Sequence, residues 1–134
     1  FKTVKLLTTV TMKETCIKMM IADYEQLVHI PKESYDLVIP QLKLVRKQRG
    51  ELIKREGEVD KLSRYICEGF IGYYRSTPTG QTLLAIYQSS DTVFDLDSYR
   101  SGKPSDSQIK AISSVSYLEF SIDSEMELIA KDSS

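Results

Sequence analysis

Gly50-Glu51-Leu52-Ile53-Lys54-Arg55-Glu56-Gly57-Glu58, followed after a short gap by Tyr65-Ile66-Cys67-Glu68-Gly69, decides how this chain folds. Each glycine stands at the end of a short run of alternating apolar and polar residues. Tight turns between short strands need backbone angles that residues with a Cβ avoid, so these glycines read as turns. The same texture extends outward from Pro40, with further breaks at Gly72, Gly80 and Gly102. It predicts strands over 42–47, 51–54, 64–67, 70–75, 82–87, 108–112 and 115–120. Seven short strands between turns predict a mainly β chain built as a sandwich or barrel. Thr77-Pro78-Thr79-Gly80 reads as a hairpin turn, with proline fixing φ and glycine taking the left-handed position.

Both flanks read as helical. Thr11-Met12-Lys13-Glu14 has the form of a capping box and predicts a helix start. Cys16, Met19, Met20, Tyr24 and Leu27 follow at three- and four-residue spacing, which gives one apolar face for core or interface packing. Pro31 and Pro40 bracket a second short helix over 32–39. From Asp123, the segment Ser124-Glu125-Met126-Glu127-Leu128-Ile129-Ala130 has the cap and acidic first turn of another helix. The expected organisation is a helical segment over 1–40, a β unit over 41–122 and the start of a carboxy-terminal helix over 123–134.

Composition narrows the function classes. With 134 residues, 41% hydrophobic and 28% charged, the chain is one domain with enough apolar side chains for a sizeable core. Its net charge of −1 hides an asymmetry, since residues 1–67 carry 13 Lys plus Arg against 9 Asp plus Glu, and residues 68–134 carry 5 against 10. The basic cluster Lys43, Arg46, Lys47, Arg49, Lys54 and Arg55 alternates with Leu42, Leu44, Leu52 and Ile53, the pattern of strands with a solvated face. Taken alone it makes a weak case for nucleic-acid binding. The longest stretch without charge, Ser76 to Ser90, is broken by Pro, Gly, Gln, Ser and Thr, so no transmembrane helix is expected. Nothing at the start resembles a signal peptide, and a first residue Phe1 fits a fragment or trimmed chain.

Cys16 and Cys67 are too few for a disulfide framework or a four-thiolate cluster, and their neighbours mark them as buried apolar positions in a reducing, cytoplasmic setting. His29 is the single histidine, which excludes a metal site built on several imidazoles; it reads as a surface or helix-end residue before Pro31. No nucleophile, base and orienting acid recur at a recognisable spacing, and there is no Gly-rich phosphate loop. The expectation is a protein that is not an enzyme and carries no cofactor and no metal. Tyr65, Phe70, Tyr73, Tyr74, Tyr87, Phe94 and Tyr99 either fill core and rim or line a pocket for a flat ligand.

The ordered set Gly50-Glu51, Gly57-Glu58 and Tyr65-Ile66-Cys67-Glu68-Gly69, with the Thr79-Gly80 hairpin, resembles the cyclic-nucleotide-binding domain of the catabolite activator and fumarate-nitrate regulator (Crp/Fnr) family of bacterial transcription regulators. The resemblance covers roughly residues 24–130. It implies a double-stranded β-helix, a jelly-roll-like β-roll flanked by amino- and carboxy-terminal helices. It also implies a phosphate-binding cassette, here Phe94-Asp95-Leu96-Asp97-Ser98-Tyr99-Arg100-Ser101-Gly102-Lys103-Pro104-Ser105-Asp106-Ser107. In that register Phe94 takes the place of the cassette glycine and Asp95 that of the ribose-binding acid. Ser105 takes the place of the phosphate-binding arginine, and Asp106 that of a small hydroxyl. The ligand-contact candidates are therefore Phe94, Asp95, Leu96, Ser105 and Asp106.

Losing a bidentate arginine removes the strongest phosphate contact, and Asp106 adds a like charge. Arg100, Lys103 or Lys110 would substitute only in a rebuilt cassette. Read without the resemblance, Ser105, Asp106 and Ser107 form a polar turn and helix cap after Pro104. The implied function is a regulatory sensor domain with a degenerate cassette, responsive to a nucleotide-like or unknown small-molecule effector. Its full-length protein would be a homodimer touching DNA through a domain outside this chain, with no membrane partner. The alternative is a ligand-independent dimerisation or protein-interaction module that uses the apolar face of the first helix. A metal-dependent β-roll enzyme is disfavoured by the histidine count.

Overall fold

A computed structural model describes the backbone of residues 2–133 and the side chains of residues 12–130. Helix α1 (Lys2–Glu25) is followed by α2 (Lys32–Val38) and a 3-10 turn (Ile39–Gln41). Strands β1 (Lys43–Lys47), β2 (Leu52–Lys54), β3 (Leu62–Glu68), β4 (Ile71–Thr77), β5 (Gly80–Tyr87) and β6 (Thr92–Val93) come next. The short helix α3 (Leu96–Ser101), strands β7 (Ser107–Ala111) and β8 (Val115–Ser121), and helix α4 (Ile122–Ser133) complete the order.

The described residues thus form a mainly β chain with helices at both ends, as expected. They hold eight strands; the two-residue β6 is the one that sequence periodicity does not reach. Two antiparallel four-stranded sheets stack, one in the order β1-β8-β3-β6 and the other β2-β7-β4-β5. Among the described residues, no helix is long and apolar enough to cross a membrane.

Alternation places the layers. On β3 and β8, Tyr65, Cys67, Leu118 and Phe120 point toward the helices and pack with Cys16, Met20 and Tyr24 of α1, Tyr35 and Val38 of α2, and Leu128 of α4. Ile66 and Tyr117, the alternate residues, point toward the second sheet and pack with Ile71, Val93, Ile109, Ala111 and Val115. Strand β3 is therefore buried on both faces, and the molecule has three layers: helices, sheet, sheet. Polar links fasten the helices: Tyr24 donates to Glu125, Tyr65 to Asp23, Tyr99 to Asp123, and Tyr35 to Glu25 at 2.8 Å.

Two readings of the amino-terminal flank need correction. Thr11 lies inside α1, which begins at Lys2, so the capping-box pattern marks no helix start. Leu27 lies beyond the end of α1 at Glu25 and is 78% exposed, whereas Cys16, Met20 and Tyr24 are buried as the stripe predicts. The second helix ends as expected around Pro40, tightening into the 3-10 turn. At the β4–β5 hairpin, Thr77 pairs with Gly80, whose φ is +138°.

Candidate functional site

The cassette folds as a loop, one and a half helical turns and a second loop leading into β7. Asp95 caps α3, its Oδ1 accepting from the Ser98 amide at 3.1 Å. Gly102 closes α3 at φ +67°. Ser98, buried in that helix, accepts through Oγ from the Asp60 amide at 3.0 Å and donates to the Lys103 carbonyl at 2.7 Å. Helix α3 is thus tied to the loop that follows it and to the loop before β3.

Ser105, Asp106 and Ser107 cap no helix; they lead into β7. The hydroxyls of Ser105 and Ser107 both donate to Oδ2 of Asp95. The group that completes the cluster is Lys54, whose ammonium donates to Ser107 Oγ at 3.0 Å, the Ser107 carbonyl at 3.0 Å, Ser105 Oγ at 3.3 Å and the Arg55 carbonyl at 3.2 Å. Lys54 is 3% exposed, so its placement among solvated basic residues is corrected. The reason is a register shift between Leu52 and Lys54 in the β2–β7 pairing, which turns the lysine inward.

A buried ion pair adjoins this cluster. Arg64 and Asp60, 3% and 2% exposed at their side chains, are joined in a bidentate contact at 2.9 and 3.0 Å. Oδ2 of Asp60 also accepts from the Asp95 amide at 2.7 Å. Two buried cations thus face two buried carboxylates, Lys54 and Arg64 against Asp60 and Asp95. Burial by itself would raise the Asp95 carboxyl. The Ser105 and Ser107 hydroxyls, the Ser98 amide and the Lys54 ammonium outweigh burial and hold it below the usual carboxylate range.

Of the five candidate contacts, Asp95 and Ser105 are brought together. Phe94 and Leu96 flank Asp95 and are half-buried. Asp106 is separated from them: its carboxylate pairs with the Arg75 guanidinium at 3.2 Å on the exposed surface. Arg100 and Lys103 are exposed, and Lys110 lies over the Tyr74 ring at 4.8 Å on the outer face of the second sheet. Lys54, Asp60 and Arg64 are the site residues that sequence reasoning misses. Among the described residues, no group of three or more His, Cys, Asp or Glu is placed to hold a metal ion.

No family model and no curated protein matches the sequence. Solved structures do match. The sensor domain of the transcriptional regulator DNR from Pseudomonas aeruginosa is 16% identical at a TM-score of 0.75, over 91% of this chain and 81% of that one. The catabolite activator protein of Thermus thermophilus is 16% identical at 0.61, over 75% of this chain and 47% of that one. A mutant regulatory subunit of a cAMP-independent protein kinase A from Trypanosoma brucei, bound to cAMP in the A site, is 16% identical at 0.71, over 93% and 46%. The chain spans about half the length of the last two. What it shares with all three is architecture, and the chain has the cyclic-nucleotide-binding β-roll fold.

Proposed function

We propose that this chain is the sensor β-roll of a larger cytoplasmic regulator, acting by binding and not by catalysis, with its cassette closed by its own side chains. The observation that carries the reading is the buried Lys54 ammonium, held by Ser105, Ser107 and the Arg55 carbonyl beside Asp95. A cyclic phosphate needs unengaged donors where it docks. Here the nearest cation already has four acceptors. Entry would break the Asp95 hydrogen bonds and set an anion beside a carboxylate whose ionised form is favoured. Phe94, Asp95, Leu96, Ser105 and Asp106 stay the positions to test for ligand contact, with Lys54 added to them. Dimerisation and DNA contact belong, in this proposal, to segments outside the chain.

Isothermal titration with cyclic AMP and cyclic GMP tests this, and no binding heat is expected for either. Micromolar binding that Asp95→Ala abolishes overturns the closed cassette while leaving the sensor fold in place. The trypanosome neighbour, named as cAMP-independent and bound to cAMP as a mutant, motivates the converse titration with Ser105→Arg.

The second reading, an interaction module, draws support from a different surface than the first helix. Phe70, Leu83, Leu84 and Ile86 are 45%, 44%, 51% and 55% exposed around β4 and β5. Light scattering of the wild type and of Leu84→Glu discriminates, since a monomer in both removes this reading.

A further inference from the structure

Among the described residues, each of the two sheets ends in two edge strands, and a long unpaired edge invites another strand to add to it. Three of the four edges are guarded. In β1, Lys43, Arg46 and Lys47 make up three of five residues; β2 has three residues and a register shift; β6 has two residues. The fourth edge, β5, is unguarded: eight residues, Gly80-Gln81-Thr82-Leu83-Leu84-Ala85-Ile86-Tyr87, with no charge, no proline and none of them buried. It lies within the longest charge-free stretch of the chain, Ser76 to Ser90. Among the described residues β5 pairs with β4 alone, so the N–H and C=O groups of alternate residues face outward with no strand to meet them. Leu83, Leu84 and Ile86 are half-exposed along it. Ile86 stands opposite Gly72, which offers no side chain to cover it, and Leu84 is the extra residue of a bulge, with no partner on β4.

We propose that β5 is a self-pairing edge: two copies of this chain join β5 to β5, antiparallel about a two-fold axis, so that the sheet β2-β7-β4-β5 continues into the same sheet of its mate. The sequence and register of β5 name a second copy as the occupant. An antiparallel strand is its own complement, since the two-fold axis sets outward N–H groups against outward C=O groups. Reversal lays the charge-free stretch against itself, and the charges that bracket it, Arg75 and Asp91, fall outside the paired segment. The bulge at Leu84 adds twist to the edge. A second copy brings the same twist, whereas a regular strand from another protein would have to be deformed to follow it. Pairing also gathers Leu83, Leu84 and Ile86 of both copies along the seam, which takes out of water apolar surface that β4 leaves uncovered. The inference rests on the interaction-module reading, for which it names the partner and the contact, and it is independent of the cassette.

The test follows the full chain by analytical ultracentrifugation over about a hundredfold range of concentration, with hydrogen exchange of the 81–87 amides measured at both ends of that range. The expected result is a monomer–dimer equilibrium with no larger species, and β5 amides that exchange more slowly as the dimer fills. Leu84→Lys and, separately, Leu83→Glu give this edge the kind of charge that guards β1; each should leave the circular dichroism unchanged and abolish the dimer. A dimer whose β5 amides exchange at the monomer's rate packs through another surface; that overturns the pairing and leaves the interaction-module reading standing. A monomer at every concentration overturns both. Outward β5 amides already protected in the monomer would mean that another segment of the same chain covers the edge, and that result, a dimer that survives both variants, or assemblies beyond two copies each overturn the proposal.

Discussion

Lys54 illustrates what a single register shift does to a residue's chemistry. On a regular strand it would share the solvated face that Leu52 and its basic neighbours suggest; with the shift its ammonium enters the cassette and meets four acceptors. Alternation cannot reveal this, because a bulge exchanges the two faces without changing any residue. Lys54→Met should cost about 2 kcal/mol in urea unfolding, by leaving Ser107 and the Arg55 carbonyl short of a donor. Lys110→Met, on the outer face, is the control and should cost far less.

Asp95 and Glu125 have opposite pH signs. The depressed Asp95 carboxyl contributes stability that is present above its unfolded value, near 4, and lost as pH falls through the folded value. Glu125 is buried at 7% exposure, accepts from Tyr24 and from Ser63 at 3.2 Å, and is raised by burial, which outweighs those hydrogen bonds. Its stabilising contribution is full below the ordinary carboxyl value, near 4.5, and lost as pH rises through the folded value. Glu125→Gln should therefore gain stability relative to the wild type as pH is raised from about 5 to about 8, read from unfolding midpoints along that series.

At the scale of elements, the strands between Pro40 and Phe120 are legible because glycine breaks them and alternation fills them. Gly69, in the β3–β4 turn, has φ +96°, and a Cβ there would lie 2.2 Å from the Ser114 carbonyl oxygen. Gly69→Ala should cost about 3 kcal/mol or more and leave little folded protein by circular dichroism. Gly72 is a second close approach: the Tyr74 ring lies against it, with Cε1 2.8 Å from where a Cβ would stand. What sequence misses at this scale is short or continuous. Strand β6 has two residues, too few for any period, and the Thr11 box has the right letters but lies within a helix already running from Lys2. The short helix and its ends are legible through Leu96 and Gly102, yet the polar contacts that tie segment 94–107 to the rest of the chain are not, since Lys54 and Asp60 lie far away in sequence.

Across the whole molecule, the helices cover one face of the first sheet, the second sheet covers the other, and the outer face of the second sheet carries exposed Leu83, Leu84 and Ile86. The fold class follows from patterning that most of the strands share. The site follows from a few long-range polar contacts that no local pattern encodes. The acidic second half of the sequence is partly neutralised in space, because Asp95 sits beside Lys54, a residue of the basic half.

The knot around Ser98 has a consequence for time as well as for shape. The amides of Asp60, Asp95 and Ser98 belong to no strand ladder, yet each is buried and bonded to a side chain that is itself buried. In deuterium exchange, loop amides ordinarily trade their hydrogens through small local openings. These three can do so only when Asp60, Asp95 and Ser98 release one another together, so their protection should match that of the β3 and β8 amides. Exchange at the rate of the exposed hairpin over 77–80 would mean the cassette breathes independently of the roll. Locked to the slowest part of the molecule, it behaves as part of the core that happens to be drawn as a loop.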